Sequence, residues 1–202
     1  LHQACGAGSC VWRRGLRRYI MALGNNFDTG GDIVDGQDSQ PFWTRTYTDE
    51  QYPLGTLRLE SADNVADAEH TDGTALGLKG DRTWIFVKAT TALTIYDCAI
   101  VKAADTATAS FEVAPSDAAG DNALDVVGVT QTAIAENSFG WIVCDGECVV
   151  NGNAGITAGQ FLDTHTGGQV DDSTAAGTLI GKALSDTNTP VSGTIRARIR
   201  LP

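Results

Sequence analysis

The sequence is poor in basic and aromatic residues and has no long hydrophobic run. Of its 202 residues, 14 are Lys or Arg and 25 are Asp or Glu, a formal net charge of −11, and only 7% are aromatic. Because phosphate contacts require a basic face, this balance disfavours nucleic-acid binding. No segment approaches the roughly 20 apolar residues of a membrane-spanning helix, so no membrane partner is expected. The ordinary apolar fraction of 42% argues against a disordered chain.

Catalytic motifs are also missing. The sequence contains no Gly-x-Ser-x-Gly elbow and no P-loop, dinucleotide fingerprint, His-Glu-x-x-His helix or EF-hand loop. An enzyme and a cofactor are therefore not expected. His70 and His165, each close to acidic residues, leave a hydrolase as a minor alternative. The acidic residues Asp163, Asp171 and Asp172 could bind a hard cation, but solvated turn carboxylates are the simpler interpretation, and no metal site is predicted.

The charge is distributed unevenly along the chain. Residues 1–20 contain four arginines and no acidic residue, which leaves 10 basic and 25 acidic residues in 21–202. This change of composition coincides with Met21, the single methionine, which could be a start codon. Residues 1–20 lack the apolar core of a secretory signal. They are interpreted as an extension without a function of its own or as a basic arm that docks on an acidic neighbour, with a membrane-surface helix as a minor alternative.

Five cysteines give a weak signal about redox chemistry, because an odd number argues against a complete disulfide framework. Cys144 and Cys148 flank Asp145-Gly146-Glu147, which reads as a β-hairpin with a three-residue turn. A cross-strand disulfide between Cys144 and Cys148 is possible in such a hairpin. Reduced structural thiols are the leading interpretation, and a metal site would need ligands from the far end of the chain.

The remaining pattern is that of short strands separated by turns. Alternating or continuous apolar runs predict strands at 54–60, 83–88, 92–102, 107–113, 125–130, 131–135, 159–163, 178–183 and 193–201, beside the hairpin around Trp141. Turn signals every 8–12 residues favour an all-β fold, a small β-barrel or sandwich. No internal repeat of 20–50 residues is visible in the sequence.

The domain organisation follows from these patterns. Residues 21–53 are rich in Gly and Asp and have no helical period, so residues 1–53 are predicted to form an extended N-terminal arm and 54–202 a β-barrel body. Phe42 and Trp43 could anchor the arm, since aromatic anchors carry much interface energy.

The last strand shows the clearest alternation, because Ile195, Ala197 and Ile199 alternate with Arg196, Arg198 and Arg200. These arginines could pair with acidic residues on a neighbouring strand. Alternatively, they could form a docking face for carboxylates, which the planar guanidinium binds with two hydrogen bonds. Both interpretations remain open.

The C-terminal half resembles a known family. The strings that carry the resemblance are Val127-Gly128-Val129-Thr130, Phe139-Gly140-Trp141-Ile142, Ile156-Thr157-Ala158-Gly159-Gln160-Phe161-Leu162, Thr166-Gly167-Gly168-Gln169-Val170 and Leu179-Ile180-Gly181-Lys182-Ala183-Leu184. Their order, followed by an alternating strand, resembles that of the small β-barrel capsid decoration, or cement, proteins of tailed bacteriophages. The resemblance covers roughly residues 125–201, is weaker over 54–113 and does not extend to 1–50.

This resemblance implies a non-enzymatic virion protein. Its relatives sit on the outer capsid surface, commonly as trimers, and clamp neighbouring major capsid subunits. The implied properties are a major capsid protein as partner, a homotrimer, assembly in the host cytoplasm and a place on the outside of the virion. Predicted partner-binding residues are Trp12, Arg13, Arg14, Arg17, Arg18, Phe42, Trp43, Arg196, Arg198 and Arg200. The alternative is a receptor- or glycan-binding module of a head or tail fibre, for which Trp43 is the one obvious aromatic platform.

Overall fold

The computed structural model describes residues 42–62, 78–101, 111–117, 125–173, 179–185 and 193–201. By Cα proximity the chain divides into two units, Leu1–Phe42 and Trp43–Pro202. Of the first unit only Phe42 is described, so the predicted arm lies almost wholly outside the described residues. Everything that follows concerns the second unit unless Phe42 is named.

The fold of the second unit is all-β, as the sequence predicts. The described residues form eleven strands: β1 (Thr46–Tyr47), β2 (Leu57–Glu60), β3 (Arg82–Ala89), β4 (Cys98–Val101), β5 (Glu112–Pro115), β6 (Val126–Thr130), β7 (Phe139–Gly152), β8 (Phe161–Thr164), β9 (Val170–Asp172), β10 (Gly181–Ala183) and β11 (Gly193–Arg200). Two single-turn 3-10 segments, Phe42–Thr44 and Thr166–Gly168, also lie among these residues. No helix in this part of the chain is long and apolar enough to cross a membrane.

The long strand β7 organises the sheet. The pairing order is β11-β10-β8-β9-β7-β6-β4-β5-β3-β2, and two further pairings, β7 with β3 and β7 with β11, close this path on either side of β7. The chain therefore contains two closed five-stranded rings that share β7. We call β3, β4, β5, β6 and the first half of β7 the first ring, and the second half of β7 with β8, β9, β10 and β11 the second ring.

The two rings have the same topology. In the first, β3–β7, β7–β6, β6–β4 and β4–β5 are antiparallel, and the parallel pair β5–β3 closes the ring. In the second, β7–β11, β11–β10, β10–β8 and β8–β9 are antiparallel, and the parallel pair β9–β7 closes the ring. The described strands thus form a tandem repeat of one fold, in which β7 is the last strand of one copy and the first of the next.

Main-chain hydrogen bonds show how closely the copies correspond. Three hydrogen bonds recur at equivalent positions, all at 2.8–3.0 Å. In the first ring they run from Tyr96 N to Thr130 O, from Thr130 N to Asp97 O and from Ser116 N to Cys98 O. Their equivalents in the second ring run from Gly159 N to Ala183 O, from Ala183 N to Gln160 O and from Ser173 N to Phe161 O. Equivalent positions lie 53 to 63 residues apart, as for Thr130 with Ala183 and for Asp97 with Gln160. The repeat is therefore longer than the 20–50 residues over which the sequence shows none.

Turns of one type precede the strands β4, β7 and β8. Each copy of the turn follows a buried aliphatic residue, Leu93, Ile134 or Ile156. The third residue of each turn has a positive φ: 72° at Tyr96, 59° at Asn137 and 94° at Gly159. A non-glycine residue rarely adopts this conformation, and at Tyr96 the surrounding hydrogen bonds hold it.

Each ring is filled with aliphatic side chains. The first ring encloses a cluster of buried residues: Ile85, Val87, Ala89, Leu93, Ala99, Val113, Val127, Ile134 and Ile142. In the second ring the corresponding residues are at most 1% exposed: Cys148, Val150, Leu162, Val170, Ile180 and Ala197. Burial of this apolar surface is the main stabilising contribution to both copies.

Several predicted elements need correction. The hairpin around Gly146 is wrong, because residues 139–152 form the single strand β7. Residues 131–135 form a turn with an isolated bridge between Leu93 and Ile134, whereas a strand was predicted. The short strands β1 and β9 were not predicted. In β2 the predicted alternation is present, but the buried residue is Glu60, which is paired with Arg82, while Leu57 and Leu59 are 61% and 47% exposed.

Candidate functional site

The candidate site is built on β11, whose two faces differ as the alternation predicts. Ile195, Ala197 and Ile199 are at most 1% exposed and fill the second ring. Arg198 and Arg200 are exposed and Arg196 is half-buried, all on the outer face. The arginines predicted to bind a partner therefore lie together on one surface of the folded chain.

Arg198 has a partner within the chain. Its Nη2 atom donates to Oε1 of Glu147 on β7 at 3.0 Å, and the two residues are directly paired in the sheet. Glu147 is nearly buried and also accepts a hydrogen bond from the main-chain nitrogen of Lys79 at 2.9 Å. The Arg198 side chain nevertheless stays 61% exposed, so cross-strand pairing and a role as a docking group are compatible for this residue.

The row of exposed side chains continues across two further strands. Lys182 of β10 is paired with Arg198, and Phe161 of β8 is paired with Lys182. Phe161 is 54% exposed, and the Lys182 ammonium lies 6.0 Å from the centroid of its ring, within cation–π range. We call Phe161, Lys182, Arg196, Arg198 and Arg200 the basic face.

Carboxylates border the basic face on two sides. Asp145 of β7 lies opposite Arg200, and Asp163 of β8 lies two residues beyond Phe161, opposite Asp171 of β9. The surface is therefore a mixed-charge one in which cations predominate at the centre. Sequence reasoning found the three arginines from their period but missed Phe161 and Lys182, because strand pairing between distant segments brings them there.

Trp43 makes contacts within its own unit. Its ring stacks on Trp84 with centroids 5.5 Å apart and an interplanar angle of 5°, and its Nε1 donates to Oε1 of Glu60 at 3.1 Å. Glu60 also accepts from Trp84 Nε1 at 2.9 Å and pairs with the buried Arg82 at 2.8 Å. Trp43 thus ties the chain ahead of β1 to the first ring and is half-buried there, so it does not supply the exposed aromatic platform that would favour the glycan-binding alternative.

Other aromatic residues fix the same segment. Tyr52 lies 5.2 Å from both Phe86 and Trp141, measured between ring centroids, and Tyr47 lies 6.0 Å from Phe86. Trp43, Tyr47 and Tyr52, which lie in the segment predicted to belong to the arm, therefore pack on the outer face of the first ring. Phe42, in the other unit, is 1% exposed. That Phe42 and Trp43 contact a partner remains a prediction.

Cys144 and Cys148 are both free thiols. They lie four residues apart on one continuous strand, which places their Cα atoms about 13 Å apart, far beyond the range of about 4.4–6.8 Å that a disulfide needs. Burial is the main cause that raises the pKa of Cys148 to about 12 and that of Cys144 to about 11, where the charge of Asp145 adds to it. A raised pKa makes the reactive thiolate scarce at neutral pH in both residues, which agrees with the interpretation as reduced structural thiols.

The histidine and aspartate candidates form no metal cluster among the described residues. The Nε2 atom of His165 lies 3.9 Å from Asp171 Oδ2. A nearby hydroxyl, that of Ser116, donates to the main-chain oxygen of His165 at 2.6 Å, so the imidazole does not receive it. His70 lies outside the described residues, as do Trp12, Arg13, Arg14, Arg17 and Arg18.

Comparison with known proteins gives no family assignment. No protein-family model matches the sequence, and no curated protein matches it. Among solved structures, the N base of the head fiber gp8.5 of bacteriophage phi29 is similar to this chain, with a TM-score of 0.43 and 15% sequence identity. The match covers 57% of this chain and 92% of that structure.

Proposed function

We propose that the chain is a non-enzymatic structural protein of a tailed-phage virion, which binds the outer capsid surface and stabilises contacts between major capsid subunits. The observation that carries the proposal is the correspondence between the resembling strings and the fold. In order along the chain, these strings fall on β6, on the start of β7, on the turn into β8, on the Thr166–Gly168 turn leading to β9, and on β10. The basic face is formed by the strands of this same region.

Charge supports an outer location. Residues 21–202 carry 10 basic and 25 acidic side chains, so packaged DNA would repel this part of the chain. Four of the cations that do occur are concentrated on the basic face. A weak docking contact repeated over a symmetric shell gains strength through multivalency, and a homotrimer would multiply it again.

Sedimentation with shells of the cognate major capsid protein tests the proposal. The full chain should co-sediment with expanded shells at a saturable stoichiometry and raise the temperature at which the shells dissociate. Light scattering of the free protein should give the mass of a trimer. Failure to bind either expanded or unexpanded shells, or binding only to host cells or glycans, would contradict the proposal.

A variant separates the contribution of the N-terminal extension. We propose that Arg13, Arg14, Arg17 and Arg18 contact an acidic neighbour, with Trp12 as an apolar anchor beside them. Replacing all four arginines by Gln should weaken shell binding and leave the unfolding transition of the free protein unchanged. Equal binding by the variant and the wild type would assign these residues to an extension without a docking role.

A further inference from the structure

The tandem repeat allows the outer faces of the two rings to be compared position by position. Equivalent residues form one row across each ring: Trp84, Val143, Val129 and Cys98 in the first, and Glu147, Arg198, Lys182 and Phe161 in the second. All four residues of the first row are at most 1% exposed. In the second row Arg198, Lys182 and Phe161 are exposed, although backbone and pairing are the same.

The covering of the first ring includes a segment of the chain itself. Trp43 stacks on Trp84, and Tyr52 packs on Phe86 and Trp141. The positions of the second ring equivalent to Phe86 and Trp141 are Val149 and Arg196. The same face of the fold thus receives an aromatic segment in one copy, and in the other it carries cations around an exposed phenyl ring.

We infer that the basic face binds a carboxylate-rich segment of a partner protein, with Phe161 as the apolar anchor at its centre. Arginine and aromatic residues are the residue types enriched at interface centres. Glu147 accepts a hydrogen bond from one Nη atom of the Arg198 guanidinium. This contact orients the remaining donors of Arg198 and reduces the conformational entropy that its side chain would lose on binding. Lys182 lies against the Phe161 ring, so both groups would meet the same partner segment.

The carboxylates that border the basic face favour a protein partner over a nucleic acid. Duplex DNA carries a charge about every 1.7 Å along its axis and requires an extended basic track. On the basic face, carboxylates lie close to the cations: Glu147 is paired with Arg198, Asp145 with Arg200, and Asp163 follows Phe161 by two residues. A phosphate backbone would therefore meet carboxylates on either side of the cations. A protein segment with spaced Glu or Asp residues can place carboxylates only where the cations are. The inference concerns the chemistry of this face and rests on the proposed function only for the identity of the natural partner.

A matched pair of double variants tests the inference with the full chain. Phe161→Ser with Lys182→Gln alters the basic face. The control, Leu57→Ser with Lys88→Gln, removes a comparably exposed apolar side chain, 61% against 54%, from β2 and one cation from β3 of the first ring. Both double variants lower the net charge by one, so a difference in binding between them cannot come from the net charge. The probes are a short fluorescein-labelled peptide repeating Glu-Leu-Glu-Ser, the same peptide with Gln for Glu, and a short DNA duplex, each titrated by anisotropy.

The wild type and the control should bind the Glu peptide with equal affinity, falling with salt, and the basic-face variant should bind it about tenfold more weakly. The Gln peptide and the duplex should bind more weakly than the Glu peptide. Equal affinity of both doubles, tighter binding of the duplex, or no binding of the Glu peptide by the wild type would each overturn the inference. A wild type that binds capsid shells but not the Glu peptide would overturn the inference and leave the proposed function standing.

Discussion

Gly128 and Gly181 occupy equivalent positions in the two rings, and a Cβ added at either would collide with a main-chain carbonyl oxygen of the next strand, that of Val143 or of Arg198. Neither residue has a positive φ, so close approach of the strands is what requires glycine. Both rings therefore depend on one glycine at the same pairing of two strands.

Substitution of these glycines should destabilise both rings to a similar extent. Gly128→Ala and Gly181→Ala are each expected to lower the free energy of unfolding by about 1–3 kcal/mol, because backbone must shift to admit the methyl group. Urea denaturation measures the effect. Gly193→Ala, at a strand glycine with no atom within 4 Å of the added Cβ, serves as the control and should be nearly neutral. An unchanged free energy of unfolding on substitution of Gly128 or Gly181 would contradict the equivalence of their packing.

The same comparison shows which parts of the fold the sequence could and could not reveal. β3 and β11 were predicted because a continuous apolar run and a strict alternation are local signals of buried and half-buried strands. The repeat was missed because its copies share little beyond turn geometry and one glycine: Val127-Gly128-Val129-Thr130 corresponds to Ile180-Gly181-Lys182-Ala183. At the other equivalent positions the inward-facing residues are apolar in both copies but differ in identity, as for Ile85 and Cys148. Several outward-facing residues differ in polarity, as for Val129 and Lys182.

The predicted hairpin at Gly146 failed for a tertiary reason. Asp145-Gly146-Glu147 is typical of a turn, yet Gly146 lies within β7 with φ of 112°. An added Cβ there would lie 2.6 Å from the main-chain oxygen of Asp81, and Cys144 forms a bulge where the pairing with β3 shifts. This glycine thus permits a close approach between strands and a bend from one ring into the next, information that a single segment does not contain.

A buried ion pair should be the most sensitive point of the first ring. Glu60→Gln leaves the Arg82 guanidinium, 1% exposed, without its counter-charge. The expected loss of stability is about 3–5 kcal/mol. Lys88→Gln breaks the half-exposed pair of Lys88 with Glu112 and should cost less than about 1 kcal/mol. Thermal melting of the two variants makes the comparison, and similar melting temperatures would show that Arg82 is solvated on loss of Glu60.

A second buried carboxylate distinguishes two of the three copies of the recurring turn. Asp97, 3% exposed, accepts hydrogen bonds from the nitrogen and hydroxyl of Thr94 at 2.6 and 2.7 Å and from Asn151 at 3.1 Å. Asp97→Ala leaves these donors unpaired and should cost about 2–4 kcal/mol. Gln160→Ala, at the equivalent half-buried position, removes the acceptor of one exposed hydrogen bond from Thr157 and the donor of a long, half-exposed one to Asp172 at 3.3 Å, and should cost less than about 1 kcal/mol. Equal losses in chemical denaturation would indicate that water reaches the donors around Asp97.

The buried thiols predict a specific loss of stability in alkali. The pKa of Cys148 rises from 9.0 to about 12 in the folded chain, so between these values the unfolded chain releases a proton that the native chain retains. Stability from this difference is complete below about pH 9 and is lost progressively as the pH rises towards about 12. Urea midpoints should therefore fall more steeply with pH in the wild type than in Cys148→Ala.

Alkylation checks the same burial independently of stability. At about pH 8 the thiolate of Cys148 is scarce and inaccessible, so iodoacetamide should modify it only at the rate of unfolding. Peptide mapping locates the label on Cys148 separately from the other cysteines. Modification of native Cys148 as fast as of the urea-unfolded chain, or parallel pH profiles for the wild type and Cys148→Ala, would show that β7 opens without global unfolding. The two rings would then be held together less tightly along their shared strand than the continuous pairing of β7 with β3 and β11 implies.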